Sequence, residues 1–172
     1  FHGLSSCPQQ FATFAQMHDG LRGGFKSTFD RLDEYLASAA ATNLATQDAL
    51  VIVREFNAPR ALVWDVWTKP EHLVHWWGPE HFTAPVCKSD FRVGGRYHYC
   101  MRDPEGHDYW STGVFREIVA HERIVATDSF ADADGNVVPS TYYGLGAEHP
   151  LEVLVITTFQ DLGNGKTRLT LE

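Results

Sequence analysis

Residues 91–106 read FRVGGRYHYCMRDPEG, and the period of this stretch decides the fold. Tyr97 and Tyr99 share one parity and His98 the other, the two-residue repeat of an extended strand. Val93-Gly94-Gly95 before it and Pro104-Glu105-Gly106 after it are tight connections of the hairpin kind. The same period continues on both sides. It predicts strands at Thr83–Phe91, Arg96–Arg102, Tyr109–Ile118, Arg123–Phe130, Leu151–Asp161 and Lys166–Glu172, with further turns at His121-Glu122 and Asn164-Gly165. Sequential strands joined by tight turns make an antiparallel meander. One connection is long, Ala131 to Pro150, and carries Asp134-Gly135-Asn136 and Tyr142-Tyr143-Gly144. Loops beyond about 12 residues are often functional.

Upstream, Leu50–Phe56 alternates as a strand. Asn57-Ala58-Pro59 opens a short helix over Arg60–Trp67, Thr68-Lys69-Pro70 breaks it, and a second short helix runs from Pro70 to about Trp76. Ser38–Gln47, within SAAATNLATQ, is small and polar and reads as a linker. Before it, Phe11, Phe14, Met17, Leu21, Phe25, Phe29, Leu32 and Leu36 fall every 3.6 residues. That period predicts a long helix over Pro8–Ala37, about 45 Å in length. Gly20, Gly23 and Gly24 interrupt it, at about 1 kcal/mol each relative to Ala, which points to a bend or to space needed by something else.

The chain has 172 residues, which suits one domain with a real core. It is 44% hydrophobic and 13% aromatic, with net charge −8. That balance argues for a folded protein and against a nucleic-acid partner. No apolar run of about 18 residues spans a membrane, and no signal-peptide pattern opens the chain. Cys7, Cys87 and Cys100 have no metal-site spacing and read as reduced thiols, so the expected location is cytoplasmic.

The last strand stops in mid-pattern, with Thr167, Leu169 and Leu171 on one face. Placing Phe1 after Glu172 continues that face, and the long helix then follows the last strand. The expectation is a single domain over 1–172 in circularly permuted order: 1–37 as end of the last strand plus long helix, 38–47 as linker, and 48–172 as strand, two short helices and six strands. A fragment cut across a tandem repeat, or numbering that starts in mid-chain, would give the same pattern.

In that re-joined order, NAPRALVWDVWTKPEHLVHWWGPEHF, FRVGGRYHYCMRDPEG, STGVFREIVAHERIVATDSF, VITTFQDLGNGKTRLTLE and GLRGGFKSTFDRLDEYLA resemble the AHSA1-like branch of the START/Bet v 1-like (SRPBCC) superfamily. The resemblance implies an α+β helix-grip fold: a curved antiparallel sheet of seven strands around one long helix, with two short helices at one end. Family helices commonly carry Trp after a single Gly; Gly23-Gly24-Phe25 stands here instead, which would enlarge the space between helix and sheet.

That fold points to a cavity of a few hundred Å³ that binds a small apolar or aromatic molecule. Its expected lining is Met17, Leu21, Phe25, Trp77, Tyr97, Tyr99, Trp110 and Tyr142. Two alternatives stand beside it: a co-chaperone module of the Hsp90-activator type, with a chaperone as partner, and a cyclase or dehydratase using the same cavity. The enzyme would need an Asp, Glu or His pointing inward beside the tyrosines. Asp103, Asp108, Asp128 and Asp132 read as turn formers at hairpin ends, and no nucleophile pairs with a His. The reading is therefore a binder without catalytic residues or cofactor, as a monomer or homodimer. His72, His75 and His81 invite a metal, but no carboxylates beyond Glu71 and Glu80 stand near, and no metal is expected.

Overall fold

The period-two stretches become strands because one parity of each is apolar and finds a common face to bury. In the computed structural model the described residues are 39–43, as backbone, and 50–172. The elements are β1 (Ala39–Asn43), β2 (Ile52–Phe56), α1 (Arg60–Thr68), α2 (Pro70–Leu73), β3 (Thr83–Ser89), β4 (Arg96–Arg102), β5 (Asp108–Val119), β6 (Arg123–Ala131), a 3-10 turn (Ser140–Tyr143), β7 (Val153–Gly163) and β8 (Lys166–Leu171). They form one curled sheet in the order β1-β2-β8-β7-β6-β5-β4-β3, with antiparallel neighbours throughout. The helix-grip expectation of seven antiparallel strands and two short helices holds for β2–β8, α1 and α2.

The stretch read as linker needs correcting. Ala39–Asn43 adds an edge strand to β2, from Ala39 opposite Phe56 to Asn43 opposite Ile52. Ladder pairing uses only backbone groups, and the free edge of β2 offers a row of them, so a small-residue segment can dock there. The long helix expected over Pro8–Ala37 lies outside the described residues, as does Phe1. Glu172, at the other side of the proposed joint, continues the β8 ladder: its N–H donates to the Ile156 carbonyl and its carbonyl accepts from the Ile156 N–H, both at 2.9 Å.

The inner face carries Ile52, Phe56, Tyr97, Tyr99, Phe115, Ile124, Ala126, Phe159, Leu169 and Leu171, and α1 and α2 pack Val63, Trp64, Val66 and Leu73 against it. Pro59 supplies the carbonyl that accepts the first helical bonds of α1, from the Leu62 and Val63 N–H groups. Pro70 suits the first turn of α2, where its missing N–H leaves nothing unpaired. Trp76 is fully buried just beyond α2, and its indole N–H donates to the Val66 carbonyl at 3.1 Å. That bond ties the two helices together. The Thr167 hydroxyl, also fully buried, donates to the Ala58 carbonyl at 2.8 Å and ties the helix pair to β8.

Candidate functional site

Register decides which rings face the helices. Tyr97 lies opposite Ser89 and Gly113, and Tyr99 opposite Cys87 and Ser111, so these six residues share the inner face. His98 lies opposite Thr112, and Cys100 opposite Trp110, on the outer face. Gly113 is required where it stands. A Cβ there would come within 2.6 Å of the Tyr97 ring and into the Thr127 carbonyl. The bare backbone lets the Tyr97 ring lie across β5 and carry its hydroxyl to β6.

Between the inner face and the two helices lies a cavity of about 100 Å³. Trp67, Thr68, Leu73 and Trp77 close it from the helix side. Phe91, Tyr97, Tyr99 and Phe115 wall one side of the sheet, and Ile124, Ala126, Asp128, Val155, Thr157 and Leu171 the other. The volume is smaller than the few hundred Å³ expected, because the rings fill the space with one another. Tyr97 stacks on Tyr99 at 4.7 Å between centroids, Phe91 meets Phe115 edge-on at 5.0 Å, and Trp77 meets Tyr99 edge-on at 5.4 Å. These are favourable geometries for aromatic pairs.

Asp128 corrects the reading of it as a turn former. It lies within β6, two residues beyond Ala126 on the inner face, and borders the cavity. The Tyr97 hydroxyl reaches the Asp128 Oδ1 at 2.6 Å and the Thr127 carbonyl at 2.9 Å. Burial pushes the Asp128 carboxyl up to about 6, and the hydrogen bonds from Tyr97 and the Ser129 N–H only partly oppose this. Burial, with the Asp128 charge beside it, holds the Tyr97 hydroxyl well above its ordinary range, so Tyr97 remains a donor. The other three carboxylates behave as expected of turn and hairpin residues. Asp103 takes the His107 N–H at 2.8 Å, Asp132 takes the N–H groups of Asp134 and Asn136, and Asp108 pairs with Arg102.

Of the expected lining, Trp77, Tyr97 and Tyr99 come together at the cavity. Trp110 does not: it is on the outer face, stacked on His98 at 4.5 Å. Its register partner Cys100, of opposite parity to the tyrosines, sets that direction. Tyr142 does not either: it is 61% exposed in the 3-10 turn. Its neighbour Tyr143 is the working residue of the long loop, donating to the Ala131 carbonyl at 2.6 Å and accepting from the Trp110 N–H at 2.9 Å. The hydroxyl thus pins the loop to the β5–β6 ladder. Met17, Leu21 and Phe25 lie outside the described residues. Sequence reasoning missed Asp128, Trp67, Phe91, Phe115 and Thr157. The signal for Asp128 was available as a single carboxylate in the Ile124, Ala126, Asp128 parity of β6.

Among the described residues no three His, Cys, Asp or Glu side chains gather as a metal site. His75 and His81 are exposed, and His81 lies against Glu80 at 3.7 Å. Cys87 and Cys100 are free thiols on opposite faces of the β3–β4 hairpin, and burial pushes Cys87 up to about 12. No helix among the described residues is long and apolar enough to cross a membrane.

The family described as activator of Hsp90 ATPase homolog 1-like protein matches residues 57–172. The chain belongs to this AHSA1-like family. A crystal structure of a Mycobacterium smegmatis protein is 29% identical, covers 77% of this chain and 76% of its own, and superposes with a TM-score of 0.61. A solution structure from Arthrobacter aurescens is also 29% identical, with 76% and 73% covered and a TM-score of 0.61. The AHSA1 protein of Silicibacter pomeroyi, at 22% identity, with 71% and 76% covered and a TM-score of 0.54, shares the fold. No curated protein matches significantly. AHSA1-like membership fits a ligand-binding or co-chaperone-type domain.

Proposed function

We propose that the domain binds a small apolar or aromatic group in the cavity between the sheet and the two short helices. One observation carries this reading: six aromatic rings, from Trp67, Trp77, Phe91, Tyr97, Tyr99 and Phe115, surround a space that the described residues leave unfilled. Protein interiors close such gaps unless something else uses them. A space of about 100 Å³ takes a group of a few heavy atoms, so the rest of a larger ligand would extend beyond it. Titration with small aromatic and branched alkyl compounds, followed by tryptophan fluorescence and indole N–H resonances, tests it. Saturable shifts confined to Trp67 and Trp77 support the reading; no shift with any compound at millimolar concentration refutes it.

Asp128 also favours a second reading, acid–base chemistry in the same cavity. It supplies the inward carboxyl beside the tyrosines that such an enzyme needs, with a protonation equilibrium near 6. Exchange of solvent deuterium into a bound carbonyl compound, abolished by Asp128→Asn, is the result this reading requires.

A further inference from the structure

We propose that the group taken by the cavity is a small organic cation of the alkylammonium class, held by the aromatic walls and the Asp128 carboxylate. This rests on the binding reading above and names the chemistry of its ligand. Three observations lead to it. Six rings wall the cavity, from Trp67, Trp77, Tyr97, Tyr99, Phe91 and Phe115, and the faces of such rings attract an ammonium group stripped of water. The lining includes one carboxylate and, among the described residues, no Lys, Arg or His; the buried Arg54 shares the inner face but stands on β2, opposite Leu169, outside that lining. The Asp128 carboxylate meets one side-chain donor, the Tyr97 hydroxyl, and retains lone pairs for a further partner.

The alternatives fit these observations less well. An anionic ligand would face Asp128 with no cation among the described lining residues. A neutral hydrocarbon would gain from the rings and leave the carboxylate desolvated without a counter-charge, at a cost in binding. A trialkylammonium head answers both demands, because its methyl groups pack on rings and its charge lies near the carboxylate. The chain's net charge of −8 also draws cations to its surface. Quaternary and protonated tertiary amines share this chemistry, and the two are separated by whether binding depends on the amine's own protonation.

The test compares choline with 3,3-dimethylbutan-1-ol, which has the same shape and no charge, by calorimetry and indole resonances on the whole chain. Choline is expected to bind about ten-fold more tightly than the neutral compound. Asp128→Asn should remove choline's advantage, by weakening choline while the neutral compound binds no more weakly than before. The wild-type protein provides a check that needs no variant. Among the described lining residues Asp128 is the one group that changes charge between pH 8 and pH 5; Tyr97 and Tyr99 from β4 stay neutral there, and the lining residues of α1, α2, β5, β7 and β8 carry no titratable group. Choline affinity should therefore fall over that range and the neutral compound's should not. Equal affinities at pH 8, or a choline affinity indifferent to both Asp128→Asn and pH, would overturn the cation proposal and leave the binding reading standing. If neither compound binds, the cation proposal is refuted, and the titration with aromatic compounds above decides the binding reading separately.

Discussion

On the inner side of β4, Tyr97 and Tyr99 stack at 4.7 Å and border an unfilled space with Asp128 at its margin. On the outer side of the same strand, His98 stacks on Trp110 at 4.5 Å, and the His98 Nε2 lies 3.0 Å from the Asp132 carbonyl oxygen. Both faces use aromatic pairs, yet the outer pair is consumed by its own contacts. Two carboxylates make the same contrast. Asp103 is almost fully buried and takes the His107 N–H, the His107 ring and the Tyr109 hydroxyl; burial raises its carboxyl, but these bonds outweigh that and hold it below the usual range. Asp128 meets fewer donors and is pushed up to about 6. A charge fully answered by its neighbours belongs to the scaffold, and a charge left partly unanswered beside a cavity is available to a ligand.

The comparison breaks first if the inner face is not the core. Trp76→Ala should cost about 3–5 kcal/mol, since the ring is fully buried and its N–H is bonded to Val66. Urea denaturation showing under about 1 kcal/mol would place the ring outside the core. The next effect has the opposite sign. The folded-state value of Asp128 is about 6 against 3.8 ordinarily, so folding disfavours its ionised form. Stability is therefore lost as pH rises from about 4 to 6 and stays lost above. Asp128→Asn should stabilise the protein at pH 7 by up to roughly 3 kcal/mol and by little below pH 4. Equal stabilities at pH 7 would show that the carboxylate is well solvated.

Asp103 sharpens the contrast. Its carboxyl is lowered, so its contribution is present above the ordinary value of 3.8 and disappears as pH falls through the lower folded value. Asp103→Asn should cost roughly 2 kcal/mol near neutrality and less on acidification, read from urea midpoints at pH 7 and pH 3. The smallest effect belongs to the outer face. Trp110→Ala should cost about 1 kcal/mol, the value of a half-buried ring stack, and leave binding in the cavity unchanged. A loss of cavity binding in that variant would mean the two faces are coupled.

The meander was legible because each strand alternates over several residues and each turn carries Gly, Asn or Pro. Strand neighbours such as β4 beside β5 then followed from order alone. Parity within β4 also placed Tyr97, Tyr99 and His98 correctly, but Trp110 could not be oriented, because its face depends on the register with β4 and register is a tertiary fact. Asp128 was legible as a misfit in an apolar parity and was read instead by its residue type, which favours turns. The edge strand Ala39–Asn43 was not legible, since its pairing with β2 draws on backbone groups that every sequence possesses. The family match over residues 57–172 agrees with the motifs of the short helices, the Gly-Gly hairpin and the last two strands. The joint between Glu172 and Phe1 lies outside the described residues on the Phe1 side.

A Cβ on Gly113 would overlap the Thr127 carbonyl oxygen and press on the Tyr97 ring. A genetic screen for loss of ligand binding should therefore return Gly113 alongside the residues that touch the ligand, although Gly113 has no side chain with which to touch anything. Any side chain there must push back the β6 backbone at Thr127 or the Tyr97 ring, and a shift of either disturbs the bond between the Tyr97 hydroxyl and Asp128 from a neighbouring strand. The most sensitive address of the site is a vacancy, and a search confined to chemically reactive residues would pass it by.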